Sequence, residues 1–277
     1  CQHRTAVRGA SVNGVRHWLL ALQFFTRIPV TGRLADWVGY SPAMLRAAAG
    51  HFPGVGWVVG AVGAGVLWAA LRALPDGPLG ALVAALLSTG ATVWLTGAFH
   101  EDGLADSADG LGGGATRERA LAIMKDSRIG SYGTVTLLIV LLLKVALIAL
   151  LAGHGAGRAA LALLAAHVLS RLAPLLIMRA LPYVGDADGS KSKPLADAVS
   201  RTGVWAGTLW SFPALALLWS AQAASGLIAS MFAWMLALAY MARLLRRRLQ
   251  GFTGDTLGAT QQLCEVALLL GLALTLT

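Results

Sequence analysis

Asp102, Asp106 and Asp109 stand at positions i, i+4 and i+7 of the stretch H-E-D-G-L-A-D-S-A-D-G. On a helix turning about 100° per residue, that spacing gathers three carboxylates into a wedge of roughly 60°. The segment from His100 to Gly133 holds six of the chain's 13 acids: Glu101, Asp102, Asp106, Asp109, Glu118 and Asp126. Like charges this close repel, and a divalent cation is the simplest compensator. A donor set of carboxylate oxygens, without a His-Cys pattern, suits Mg²⁺ or Mn²⁺ rather than zinc. The bland alternative is a solvated acidic helix end. Lys125 and Arg128 follow close behind, and Gly112 to Gly114 offer either a hinge or backbone N–H groups for a phosphate. Together these are parts for phosphoryl or nucleotidyl chemistry, in which metal and basic groups neutralise developing charge.

The elements that must carry these residues are membrane helices. The chain is 57% hydrophobic, has a mean hydropathy of +0.68 and is only 13% charged, against about 25% charge in an average soluble domain. The expected fold is all-α: a single integral membrane domain over residues 1–277, a polytopic bundle of about seven transmembrane helices plus a short N-terminal interfacial helix. Residues 1–16 read as a basic, irregular tail, and the start at Cys1 reads as a trimmed N-terminus. The interfacial helix is expected over Trp18 to Val30, too short for the roughly 20 residues a span needs.

Spans are expected at Phe52–Leu74, Leu79–Phe99, Thr134–Ala152, Arg158–Leu181, Val204–Ala221 and Gly226–Leu245. The final apolar run from Val266 completes a seventh if Thr260 to Glu265 are already helical. The second span is expected to run directly into the acidic stretch. Gly56, Gly60 and Ala64 repeat every four residues, a spacing for close helix packing. Lys144, His167 and Arg171 lie within spans, where a charge needs a partner or a polar cavity, and Pro174 can bend the fourth span.

Basic residues give the sidedness. With the N-terminus inside, 18 of the 22 Lys and Arg fall on cytoplasmic segments and only Arg72 and Arg158 on outer loops. The net charge of +9 is thereby explained by topology, and nothing resembles a nucleic-acid-binding module. Cys1 and Cys264 form neither a disulfide framework nor a zinc motif. The same inner face collects the Phe25–Pro29 turn, the acidic stretch, the Asp186–Lys193 loop and the segment Asp255–Glu265.

The block H-E-D-G-L-A-D-S-A-D-G followed by R-x-x-x-I-M-K-D-S-R-I-G-S-Y-G resembles the signature of the cobalamin synthase (adenosylcobinamide-GDP ribazoletransferase) family. The blocks F-F-T-R-I-P, F-P-x-V-G, S-R-L-A-P and G-F-T-G-D-x-x-G-A are similar to that family's in the same order, from Phe24 to Glu265. Glu101 and Gly54 depart from the pattern. The resemblance implies a multi-pass enzyme of the bacterial cytoplasmic (inner) membrane, in contact with lipid and with its active site on the cytoplasmic face. It implies a Mg²⁺-dependent transfer in which a hydroxyl of α-ribazole, or of its 5′-phosphate, attacks the cobinamide-linked phosphate of adenosylcobinamide-GDP and GMP departs.

On that reading Asp102, Asp106 and Asp109 hold Mg²⁺, with Glu101, Asp255 and Glu265 as further candidate ligands. Arg27, Lys125, Arg128, Arg171 and Lys193 bind substrate, and Asp126, with His100 behind it, is the candidate base. A homo-oligomer is left open. Two other readings compete: a CDP-alcohol phosphotransferase, whose D-x-x-D-G opening Asp106 to Gly110 only partly satisfies, and a cation-coupled transporter, which would place its ionisable groups near midplane.

Overall fold

A computed structural model describes residues 2–185 and 199–276, with side chains from Asn13 onward in the first range. Seven of its helical segments are long and apolar enough to cross a membrane: α4 (Phe52–Ala73), α5 (Pro78–Thr96), α8 (Ser131–Gly153), the joined pair α9 (Ala156–Ser170) and α10 (Leu172–Ala180), α11 (Arg201–Ala221), α12 (Ala224–Arg248) and α13 (Gly254–Ala273). The expected all-α multi-pass architecture is therefore present. The shorter helices gather at one end of the bundle: α2 (Gly32–Val38) and α3 (Pro42–Ala49) before the first span, α6 (Phe99–Gly113) and α7 (Arg117–Met124) after the second.

Three expectations are corrected. The N-terminal tail is not irregular, because α1 runs from Gln2 to Phe25 with no proline to break it. The helix expected over Trp18 to Val30 is only the last part of α1, and it stops where Thr26 Oγ1 donates to Leu22 O at 2.6 Å and accepts from Ile28 N at 3.1 Å. The second span does not run straight into the acids. It ends at Thr96, and Gly97 (φ 68°) and Ala98 (φ 59°) make a left-handed break before α6. The condition set for the seventh span is met, since Thr260 to Glu265 are helical, in a helix that begins at Gly254. A capping box starts it there: Thr253 Oγ1 accepts from Thr256 N, and Thr256 Oγ1 from Thr253 N. The bend of the fourth span falls at Arg171, one turn before Pro174, whose missing N–H leaves the Ser170 carbonyl without its helical donor.

Burial separates the interior spans from the outer ones. In α13, 72% of the apolar window is buried inside the protein, against 22% in α11 and 17% in α12. α11 and α12 turn Trp205, Leu209, Phe212, Ile228 and Phe232 outward. The glycine repeat of α4 has the packing role expected of it. A Cβ on Gly56 would lie 2.6 Å from His167 O, and one on Gly60 2.9 Å from Leu164 O, so α4 and α9 touch along their backbones.

Next to α4, His51 Nδ1 accepts from Trp210 Nε1 at 3.0 Å, and the His17 ring stands 6.1 Å away. Burial first, and His17 second, push the His51 imidazole down to about 4 from its ordinary 6.5. The neutral ring that accepts from Trp210 is thus favoured only in the folded state, and the unfolded chain takes up the proton first. Stability should therefore be complete above pH 6.5 and fall progressively as pH drops toward 4. The melting temperature should decline by a few degrees across that window, and His51→Gln, which keeps a neutral acceptor, should flatten the decline.

Candidate active site

α6 reaches α13 through a glycine contact. A Cβ on Gly103 would lie 2.7 Å from Asp255 O and 3.0 Å from Asp255 Cα, and one on Gly258 would lie 3.2 Å from His100 O. Only side-chain-free positions allow the two backbones to approach this closely. The approach puts Asp102 and Asp106 of α6 beside Asp255 in the first turn of α13. Asp102 is exposed, while Asp106 and Asp255 are half-buried.

Burial, followed by the charges of Asp102, Asp255 and Asp109 in that order, pushes the Asp106 carboxyl up to about 7. Mutual repulsion of this kind is what a hard cation relieves, and the donors offered are all carboxylate oxygens, so the residues fit Mg²⁺. Among the described residues, no group of three His, Cys, Asp or Glu side chains is already drawn together in metal-holding geometry.

Asp109 is engaged differently. Its Oδ2 accepts from Gly130 N at 2.7 Å and its Oδ1 from Gly133 N at 2.8 Å. Gly130 is the N-cap of α8, so a carboxylate from α6 caps α8 across the tertiary structure, satisfying N-terminal donors that the helix itself cannot. A Cβ at either glycine would collide with the Asp109 carboxylate. Replacing Asp109 with Asn turns one acceptor into a donor facing an N–H. Charge-assisted hydrogen bonds contribute about 1.5–3 kcal/mol each, so Asp109→Asn is expected to cost roughly 2 kcal/mol. The check is a lowered melting temperature of the metal-free protein, measured by thermal denaturation in detergent.

The other expected site residues lie elsewhere. Glu101 and Glu265 do not join the three carboxylates. Glu101 points inward and accepts from Gln262 Nε2 at 2.8 Å, and Glu265 is fully buried against Lys144 Nζ at 2.6 Å. Arg171 is 2% exposed, donates to His167 O at 2.7 Å and lies 5.4 Å from the centre of the Phe52 ring, so its guanidinium is turned into the bundle.

His100 is buried and stacks on Phe52. Burial, then the Arg171 guanidinium, hold its pKa well below the ordinary imidazole range. Asp126 is gripped by Arg128 through Nε and Nη2, with the shortest bond at 2.6 Å, and this holds its carboxyl down to about 2. A carboxylate so acidic is a poor proton acceptor at neutral pH. Arg27 is exposed beside the left-handed α5–α6 turn, where its backbone N donates to Leu95 O at 2.7 Å. Lys125 is exposed at the end of α7. Lys193 lies outside the described residues.

Gly103, Gly258, Gly130 and Gly133 escaped the sequence reading, as did the polar residues Ser170, Gln261 and Gln262 of the interior. The available signals were faint: a glycine one residue from a candidate ligand, and two adjacent glutamines in an otherwise apolar span.

Comparisons with known proteins bear on the whole chain. No solved structure matches it significantly. A protein of Albidiferax ferrireducens is 58% identical over 95% of this chain and 99% of its own length, one from Polaromonas sp. is 56% identical over 95% and 98%, and one from Leptothrix cholodnii is 49% identical over 95% and 96%. Each of the three is named adenosylcobinamide-GDP ribazoletransferase. The family model described as cobalamin-5-phosphate synthase matches residues 17–273. That match spans every membrane helix and all three clustered carboxylates, and the chain belongs to the cobalamin-5-phosphate synthase family.

Proposed function

We propose that this protein is a Mg²⁺-dependent transferase that joins adenosylcobinamide-GDP to α-ribazole, or to its 5′-phosphate, and releases GMP. The reading is supported by near end-to-end similarity to relatives bearing the ribazoletransferase name. The observation that carries it onto this chain's own residues is the approach of three carboxylates, Asp102, Asp106 and Asp255, at the Gly103 crossing.

A hydroxyl oxygen of the ribazole bonds to the cobinamide-linked phosphorus. The P–O bond to the GMP moiety breaks, its electron pair leaves with GMP, and the hydroxyl proton passes to water. Mg²⁺ held by Asp102, Asp106 and Asp255 would supply neutralisation of the diphosphate's charge. Arg27, Lys125 and Arg128, exposed on segments flanking α6, orient the phosphates. Asp109 sets the angle of α6 against α8 and so fixes where Asp102 and Asp106 stand. No dedicated base is assigned, since phosphoryl transfer draws most of its rate from positioning and charge neutralisation.

We place this end of the bundle at the cytoplasmic side of a bacterial inner membrane. Arg201, Arg246, Arg247 and Arg248 crowd there, while Arg72 and Arg158 mark the opposite end. The test is GMP release from adenosylcobinamide-GDP, with α-ribazole and Mg²⁺, by protein purified in detergent. Folded protein that releases none, with or without the 5′-phosphate form, would overturn the reading.

A further inference from the structure

Lys144 on α8, His167 and Arg171 on the fourth span, and Glu265 on α13 are each no more than 2% exposed, and the proposed chemistry uses none of them. They are connected through α13. Glu265 Oε1 lies 2.6 Å from Lys144 Nζ, and Glu265 Oε2 lies 3.3 Å from His167 Nδ1. Gln261 Nε2 donates to Glu265 Oε2 at 2.6 Å and to Ser170 Oγ at 3.0 Å. One residue on, Gln262 Nε2 donates to Glu101 Oε1 on α6 at 2.8 Å. A single helix is thus bound by polar contacts to α8, to α9 and to α6.

Apolar packing between membrane helices tolerates rotation and sliding, because lipid and neighbouring side chains are chemically alike. Polar contacts do not. Turning α13 by one residue would carry Glu265 away from Lys144 and Gln262 away from Glu101, stranding charge in a medium that penalises it heavily. α13 also carries Asp255 in its first turn and Gly258 at the crossing with α6. Its rotational setting therefore decides whether Asp255 faces Asp102 and Asp106.

We propose that the buried Lys144–Glu265 pair, with Gln261 and Gln262, fixes the register of α13 and thereby holds Asp255 in the carboxylate group, which makes Lys144 and Glu265 positioning residues. The inference rests on reading that group as the metal site.

Removing one charge alone strands the other, so Lys144→Met and Glu265→Met singly are expected to reduce the yield of folded protein. The informative variant is the double replacement Lys144→Met with Glu265→Met, since exchanging a whole buried pair for apolar side chains is often neutral for folding. Its melting temperature should stay within a few degrees of the parent, while Mn²⁺ affinity, titrated directly by electron paramagnetic resonance in detergent, falls at least about tenfold and GMP release at least about a hundredfold.

The charge-reversed pair Lys144→Glu with Glu265→Lys should recover part of the Mn²⁺ affinity. Gln261→Met keeps both charges and should weaken Mn²⁺ binding several-fold, a measurement that stands even if the double variant fails to accumulate. Parent-like Mn²⁺ binding and turnover in the folded double variant, or unaltered Mn²⁺ affinity in Gln261→Met, would overturn the register role and leave the transferase reading intact. A parent protein that releases GMP but binds no Mn²⁺ would remove the metal site, and the register inference with it.

Discussion

Asp106→Asn is expected to lower GMP release by about 10³-fold without loss of fold. The magnitude corresponds to roughly 4 kcal/mol of lost transition-state stabilisation, in the range of a metal's contribution to charge neutralisation. The direction of the stability change is the sharper part. Asp106 is crowded by Asp102, Asp255 and Asp109, and its carboxyl is pushed up to about 7. A neutral amide relieves that repulsion, so metal-free Asp106→Asn should melt at or above the parent temperature while being nearly inactive, the trade-off expected where a site stores unfavourable charge for function. Near-parental turnover would show that Asp106 holds no metal. A lowered melting temperature would show that its carboxylate is structural.

Gly103→Ala is expected to cost about 10²-fold in turnover, though it adds a single methyl group and touches no substrate. The new Cβ would meet Asp255 O at 2.7 Å and Asp255 Cα at 3.0 Å. Both are backbone atoms, so no side chain can turn aside and α6 must move away from α13. A displacement of about 1 Å among reacting groups can cost two orders of magnitude, and overpacking of this kind destabilises by about 1–3 kcal/mol. Gly90→Ala on α5 is the control: nothing lies within 4 Å of its added Cβ. Helix propensity favours Ala by about 1 kcal/mol, so that variant should be as active as the parent and no less stable. Equal activity of the two variants would remove the α6–α13 contact from the mechanism.

The sequence made the multi-pass helical architecture legible because apolar runs of span length are a local property. The wedge of Asp102, Asp106 and Asp109 was legible from helical spacing alone. What spacing did not reveal is that Asp109 turns both oxygens to Gly130 and Gly133, since those donors come from a helix start beyond α7. For the same reason Glu265 looked like a ligand. It is an acid near Asp255 in sequence, yet Lys144, the group that neutralises it, sits four spans earlier in the chain. Lys144, His167 and Arg171 were correctly marked as charges in need of partners, but identifying the partner required the packing. The seventh span was legible only conditionally, because the first turns of α13 are polar; its capping box and its burial against α6, α8 and α9 extend the helix back to Gly254.

Asp109 also shapes the field that an incoming substrate meets. A diphosphate approaching this end of the protein must come close to several carboxylates, and the resulting repulsion slows encounter as well as binding. The first turn of α8 offers about half a unit of positive charge at its N-terminus, and the Asp109 carboxylate is seated on it. That positive end offsets part of its negative potential, and Asp109 stands last among the carboxylates that push Asp106 up. The acid that completes the helical wedge therefore contributes rigidity while adding less than its full charge to the electrostatic barrier an anionic nucleotide has to cross.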